Sequence, residues 1–140
     1  MSKLIENMNK NIRHVMFLVD EYHLNYKEQI FEGKPFGTYE TITYSFYNDS
    51  GCFTLSYLSS REELDFYYSS KISDDYYELH EKGVNIWIDE PEIWNKHQKW
   101  FGFINDPFFW MKHEKVIKAL AETIRVKINK NGEFFGVKIQ

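Results

Sequence analysis

Hydrophobic and polar positions change period along the 140-residue chain, and each change predicts an element. Leu4, Ile5, Met8, Ile12, Val15, Met16 and Val19 recur at three, four and seven, which lines one face of an N-terminal helix. Ser2 stands where it can cap that helix, and Lys10 and Arg13 fall on its other side. The period fades after Asp20. Residues 22–31 fit either a prolonged helix or a short extended segment, and Gly33, Pro35 and Gly37 end whichever forms.

From Thr38 to Ser70 the period falls to two in a stretch dense in Tyr, Phe and Thr, the composition of pleated, half-buried surface. Ile42, Tyr44 and Phe46 share one face of a first strand, with Tyr39, Thr41, Thr43, Ser45 and Tyr47 on the other. Asn48-Asp49-Ser50-Gly51 supplies a turn in which Gly51 is free to take a positive φ. Phe53, Leu55 and Tyr57 then oppose Thr54 and Ser56 in a second strand. After a turn at Ser59 to Glu62, Leu64, Phe66 and Tyr68 oppose Glu63, Asp65 and Tyr67 in a third. The pattern predicts a meander with one apolar face and one facing water or a partner. Its core positions are Ile42, Tyr44, Phe46, Phe53, Leu55, Leu64, Phe66 and Tyr68.

Ser73 followed by Asp74 and Asp75 opens a short helix, and Gly83 sits where a helix C-terminus favours a left-handed residue. Val84, Ile86 and Ile88 alternate with Asn85, Trp87 and Asp89 as a fourth strand. Asp89 and Glu92 have capping-box spacing, with Pro91 in the first turn of a helix carrying Ile93, Trp94, His97, Trp100 and Phe101 on one side. Asn105-Asp106-Pro107 repeats the cap-and-proline signal ahead of Phe108, Phe109 and Trp110. From His113, the residues Val116, Ile117, Leu120, Ala121, Ile124 and Ile128 form a helical stripe that Asn131-Gly132 closes, and Phe135, Val137 and Ile139 read as a final strand. Without repeat or linker, residues 1–140 are expected to form a single α+β domain, an antiparallel β-meander packed against N-terminal and C-terminal helices.

A single cysteine, Cys52, excludes an internal disulfide framework, and the N-terminus has no basic region followed by a long apolar core. The expectation is a cytoplasmic protein. The apolar run Val15 to Val19 falls well short of the roughly 20 residues that cross a bilayer, so no membrane association is expected. Asn48-Asp49-Ser50 matches a glycosylation sequon but reads as a turn.

Candidate chemistry is sparse. His97 and His113 fall on apolar helix faces, as hydrogen-bonded core or boundary histidines do. His113-Glu114 begins like a zinc-protease helix, but Ile117 occupies the position of the second histidine. His80 lies between Glu78 and Glu81 on a short helix and reads as part of a solvated face. Cys52 reads as a small buried hydrophobe. Gly33-Lys34-Pro35-Phe36-Gly37 has the wrong spacing for a phosphate cradle, and no serine elbow occurs. No catalytic residue, metal ligand or cofactor is assigned.

Charge is uneven. Residues 61–92 hold 3 basic and 10 acidic side chains, whereas residues 93–140 hold 9 and 4. Lys96, Lys99, Lys112, Lys115, Lys118 and Lys127 interleave with aromatic residues, but those aromatics fall on faces a small core needs, so nucleic acid is not the expected partner. The acidic segment is the stronger candidate. Glu62, Glu63, Asp65, Asp74, Asp75, Glu78 and Glu81, with Tyr67, Tyr76, Tyr77 and Trp87 as aromatic anchors, form a surface suited to a basic protein, a nuclease domain among them.

A short, cysteine-poor, aromatic chain with an acidic Arg61 to Glu92 segment resembles the small bacterial immunity proteins, which neutralise a cognate toxin by masking its active site. The resemblance implies an inhibitory one-to-one complex, no chemistry of its own, and a monomer or weak homo-oligomer when unbound. The alternative expectation is a small-ligand-binding or hydrolytic domain with its pocket between the sheet and the Trp94 to Trp110 helices.

Overall fold

The structure, a computed structural model, describes residues 3–33, 40–59, 63–85, 93 and 113–139. The N-terminal helical stretch is divided into three pieces: α1 (Lys3–Asn11), a 3-10 turn (Ile12–Val15) and α2 (Phe17–Asp20). In a 3-10 turn side chains three apart eclipse, so Ile12 and Val15 point together into the core. The tighter turn also shifts the phase of the chain, and the adjacent Phe17 and Leu18 are both buried. The proposed cap, Ser2, lies outside the described residues.

His23, at a φ of 60°, turns the chain from α2 into β1 (Asn25–Glu32), so the ambiguous segment is extended. The sheet continues with β2 (Glu40–Asn48), β3 (Gly51–Leu58), β4 (Glu63–Ser69) and the short β5 (Lys82–Gly83), antiparallel throughout in the order β1-β2-β3-β4-β5. The chain is therefore α+β, with the three predicted strands at the centre of a five-stranded sheet. Register aligns Phe46, Phe53 and Tyr68 across β2, β3 and β4, with Tyr44, Leu55 and Phe66 in the next row on the same face and Ile42, Tyr57 and Leu64 beyond them. Six of the eight predicted core residues are buried; Leu64 and Tyr68, on β4, are partly so.

This face packs on α1, the 3-10 turn and the long C-terminal helix α4 (His113–Asn131), the seat of the predicted stripe Val116, Ile117, Leu120, Ile124 and Ile128. Burying side chains of that size stabilises a fold by roughly 1.5–3 kcal/mol each. Arg125 on α4 donates to Glu21 at 2.9 Å, while Arg13 and His14 meet Glu114 at 3.0 and 3.3 Å, tying the N-terminal helices to α4. Gly132, at a φ of 68°, ends α4, and its N–H reaches the Ile128 carbonyl at 2.8 Å.

Several expectations are corrected. Phe135, Val137 and Ile139 do not form a last strand of the sheet. Instead β6 (Glu133–Phe134) and β7 (Val137–Lys138) make a separate hairpin with positive φ at both turn residues, Phe135 and Gly136. Its buried Phe134 and Val137 plug one end of the core, and the Phe134 and Phe135 rings lie 5.7 and 5.4 Å from that of Phe53.

Gly51 lacks a positive φ; proximity explains it, since a Cβ there would stand 2.9 Å from Tyr68 Cε2 and 3.1 Å from the Gly136 carbonyl oxygen.

The second face of the sheet is not wet: Thr41, Thr43, Ser45, Thr54 and Ser56 are all buried. Segment 70–81 crosses it, carrying α3 (Tyr76–Leu79). Gln29 donates to the Ser73 carbonyl at 3.0 Å, Lys27 to Asp74 at 2.6 Å, and Phe31 packs edge-on against Tyr76. Beneath the cover the sheet hydroxyls pair with one another, Ser45 with Thr54 at 2.8 Å, which is what makes burying them tolerable.

Gly83 belongs to β5 rather than to a helix end, and the Val84 N–H donates to the Phe66 carbonyl at 2.9 Å. Neither Val84 nor Asn85, the described part of the predicted fourth strand, is in a strand. The rest of the predicted fourth strand, the Asp89 to Phe101 helix and the Asn105 to Trp110 stretch lie outside the described residues, apart from Ile93, which is helical and buried in the main core.

Candidate functional site

The site is built from β4 and the cover it supports. Strand alternation sends Glu63, Asp65 and Tyr67 to the second face. The cover is held in shape by its own polar residues. Asp75 caps α3, its Oδ1 accepting from the Tyr77 and Glu78 amides at 2.8 and 3.1 Å. Ser73 accepts from the Asp75 amide and donates to Glu78, both at 3.0 Å, and Glu81 accepts from the Ser70 amide at 2.9 Å.

Tyr76 and His80, four residues apart, stack with ring centres 3.9 Å apart, and His80 also lies 4.2 Å from the Tyr67 ring. His80 Nδ1 is 2.6 Å from the Tyr76 carbonyl oxygen, and Nε2 is 3.0 Å from Ser56 Oγ. A carbonyl only accepts, so Nδ1 carries the proton. Burial holds the ring's pKa below the ordinary histidine range, outweighing the backbone hydrogen bond that favours the cation. With the ring neutral, Nε2 is the acceptor and the Ser56 hydroxyl donates to it. His80 is therefore not part of a solvated face, as its acidic neighbours suggested; it is the pin that fastens the cover to β3.

Between the pin and β4 lies a cavity of about 140 Å³, lined by Thr41, Ser56, Leu58, Glu63, Asp65, Tyr67 and Tyr76. Asp65 stands opposite Ser56 across the β3–β4 ladder. Partial burial first, and then the neighbouring charge of Glu63, raise its pKa above the usual carboxylate range, although the residue remains exposed to solvent. Tyr67 is pushed up to about 12, chiefly by burial and then by Asp65, so its hydroxyl stays protonated.

The structure thus brings Glu63, Asp65, Tyr67 and Tyr76 around one cavity. Tyr77, Glu78 and Glu81 line a neighbouring groove of about 250 Å³ with Ser70 and Lys71. Asp74 is turned toward β1 and Lys27, and Asp75 is engaged as the helix cap. Glu62 and Trp87 lie outside the described residues. Ser56, Thr41 and His80 join the site without having been expected there; the four-residue spacing of Tyr76 and His80 was the one available signal. A cavity of about 400 Å³ between Tyr68, Lys82 and the β6–β7 turn contains none of the expected residues.

Ser56 hydrogen-bonded to His80 has the form of a nucleophile and its base. The adjoining cavity carries two carboxylates, which oppose the negative charge that develops on an acyl-transfer intermediate and favour a bound cation. Among the described residues no group of three or more His, Cys, Asp or Glu is placed to hold a metal ion, and no helix is long and apolar enough to cross a membrane. Compared with known proteins, the chain matches no family model, no curated protein and no solved structure.

Proposed function

We propose that this protein is a binding module of the immunity type, which captures a basic protein partner on the acidic, aromatic face formed by β4 and segment 70–81 and so masks the partner's active site. The observation that carries the reading is the gathering of Glu63, Asp65, Tyr67 and Tyr76 around one cavity, with Tyr77, 61 % exposed, beside it. Exposed aromatic anchors ringed by like charge are the composition of an interface that attracts by electrostatics and holds by desolvated contact. The inhibitory role follows from the resemblance in size, composition and acidic segment. On this reading the protein needs no cofactor and contributes steric and electrostatic masking alone.

Affinity capture from the native cell, followed by an assay of the captured protein, tests this. Glu63→Lys, Asp65→Lys and Tyr77→Ala together leave the helix cap at Asp75 untouched, so circular dichroism is expected to stay as in the parent. The parent is expected to retain a basic partner and to inhibit it at equimolar ratio, and the triple variant to lose at least about tenfold in affinity. Equal retention by parent and variant would falsify the placement of the interface, and a captured partner that keeps full activity would remove the inhibitory role.

A further inference from the structure

The two edges of the sheet are unlike. Among the described residues one edge is β5, two residues long and carrying the exposed Lys82, and the other is β1, eight residues long. Natural sheets blunt an exposed edge with a short strand, a lysine, a proline or a bulge. β5 has the first two. β1 has no proline, its pairing with β2 runs from Asn25 to Glu32 without a bulge, and its one lysine, Lys27, is turned to Asp74 at 2.6 Å. Among the described residues no strand pairs with its outer side. Its side chains on the second face are tied to the cover, Lys27 to Asp74, Gln29 to the Ser73 carbonyl and Phe31 against Tyr76, so the strand is already held extended and an incoming strand needs little ordering. On the opposite face Ile30, paired with the buried Ile42, is itself 50 % exposed.

We propose that the outer side of β1 pairs antiparallel with β1 of a second copy of this chain, joining the two five-stranded sheets into one about a two-fold axis. Charge selects both the occupant and the register. An axis normal to the sheet keeps like faces together, so it must pass beside a single residue. Beside Lys27 it opposes two lysines, beside Glu28 two glutamates, and beside Ile30 it sets Glu28 against Glu32, all like-charge pairs that weaken strand association. Axes nearer either end leave most of the strand unpaired. Beside Gln29 no like charges meet: over residues 26–32, Glu28 faces Ile30, Tyr26 faces Glu32 and Lys27 faces Phe31 of the other copy. β1 is therefore self-complementary in one register. The two-residue β5 is too short to receive it, so the contact closes at a dimer rather than running on as a filament. β2 and β3 separate β1 from β4, so the pairing does not depend on the capture role, and the dimer presents both acidic covers on the same side.

Sedimentation equilibrium of the intact chain, from about 10 µM to about 1 mM, tests the pairing. The parent is expected to approach twice the chain mass and to go no further. Ile30→Glu places a carboxylate opposite Glu28 twice in each dimer and is expected to weaken association by at least about tenfold. Because Ile30 is half exposed, circular dichroism of this variant is expected to match the parent. Adding Glu28→Lys to Ile30→Glu turns each like-charge pair into an opposite-charge pair and is expected to restore association to the parental level. A parent that stays monomeric throughout, growth beyond the dimer, association indifferent to Ile30→Glu, or a double variant no better than the single one overturns the proposal.

Discussion

The Ser56–His80 contact makes the cover sensitive to pH. The ring's pKa in the fold is below its unfolded value of about 6.5, so between the two the unfolded chain binds more protons and stability rises with pH. Acidification below about 6.5 is therefore expected to loosen α3 from the sheet. The groups around the ring are the Tyr76 carbonyl, Ser56 and the Tyr67 and Tyr76 rings, with the Glu63 and Asp65 carboxylates on the far side of the adjoining cavity. Protection factors of the residue 76–80 amides, taken after correction for the pH dependence of intrinsic exchange, are expected to fall between pH 7 and pH 5, and His80→Gln, which still offers Ser56 an acceptor, to remove that dependence; its persistence would assign it to another group. Asp65 titrates with the opposite sign. Its raised pKa means the fold holds the proton more tightly, so stability declines as pH climbs from about 4 through the raised value. Asp65→Asn should accordingly melt higher than the parent at pH 7, with the difference vanishing near pH 3. None of this was visible in the chain as letters, because the environment of His80 is set by Ser56, 24 positions away.

At the scale of elements, the central strands were legible because their alternation is strict, and α4 because its stripe recurs from Val116 to Ile128 along a 19-residue helix. β1 was not. An edge strand packs unevenly on its two faces, and the order Tyr26, Lys27, Glu28, Gln29, Ile30, Phe31 has no clean period of two. The covered second face was misread for a related reason: Thr and Ser opposite aromatics look solvated in sequence, yet hydroxyls that bond to one another and to His80 are content under a short helix. The β6–β7 hairpin shows how far a glycine can be decisive. Gly136 combines a φ of 87° with a position where a Cβ would fall 2.5 Å from Tyr68 Cε2. Gly136→Ala is expected to lower the urea-unfolding stability by about 1–3 kcal/mol, and the hairpin to lose its hold on Phe53 first. Gly83→Ala is the matched control, with open space around the added methyl and no left-handed φ, and should stay within about 0.5 kcal/mol of the parent. Equal effects of the two changes would remove the account of Gly136.

Across the whole molecule the sheet separates two environments. One face is closed by helices into the apolar core; the other is closed by twelve residues, 70–81, over buried hydroxyls. The candidate site was half legible: the acidic bias and the tyrosines were visible, but where each carboxylate sits depended on how the cover lies. Asp74 meets Lys27, Asp75 is the helix cap, and Glu63 and Asp65 line the cavity. The charge of residues 61–92, 3 basic against 10 acidic, still acts at a distance regardless of those local engagements, since exposed pairs reduce the field without removing the excess. Screening then separates the two contributions to capture. Raising salt from about 0.05 M to 0.5 M contracts the Debye length from roughly 14 Å to about 4 Å, which suppresses steering of a distant partner but hardly reaches contacts already closed within the interface. Stopped-flow association with the captured partner is expected to slow by at least about tenfold over that range, while the dissociation rate changes far less in the parent and rises sharply in Asp65→Asn. A salt effect confined to dissociation would mean that the acidic excess plays no part in encounter, and a dissociation rate indifferent to Asp65→Asn would mean that Asp65 lies outside the contact.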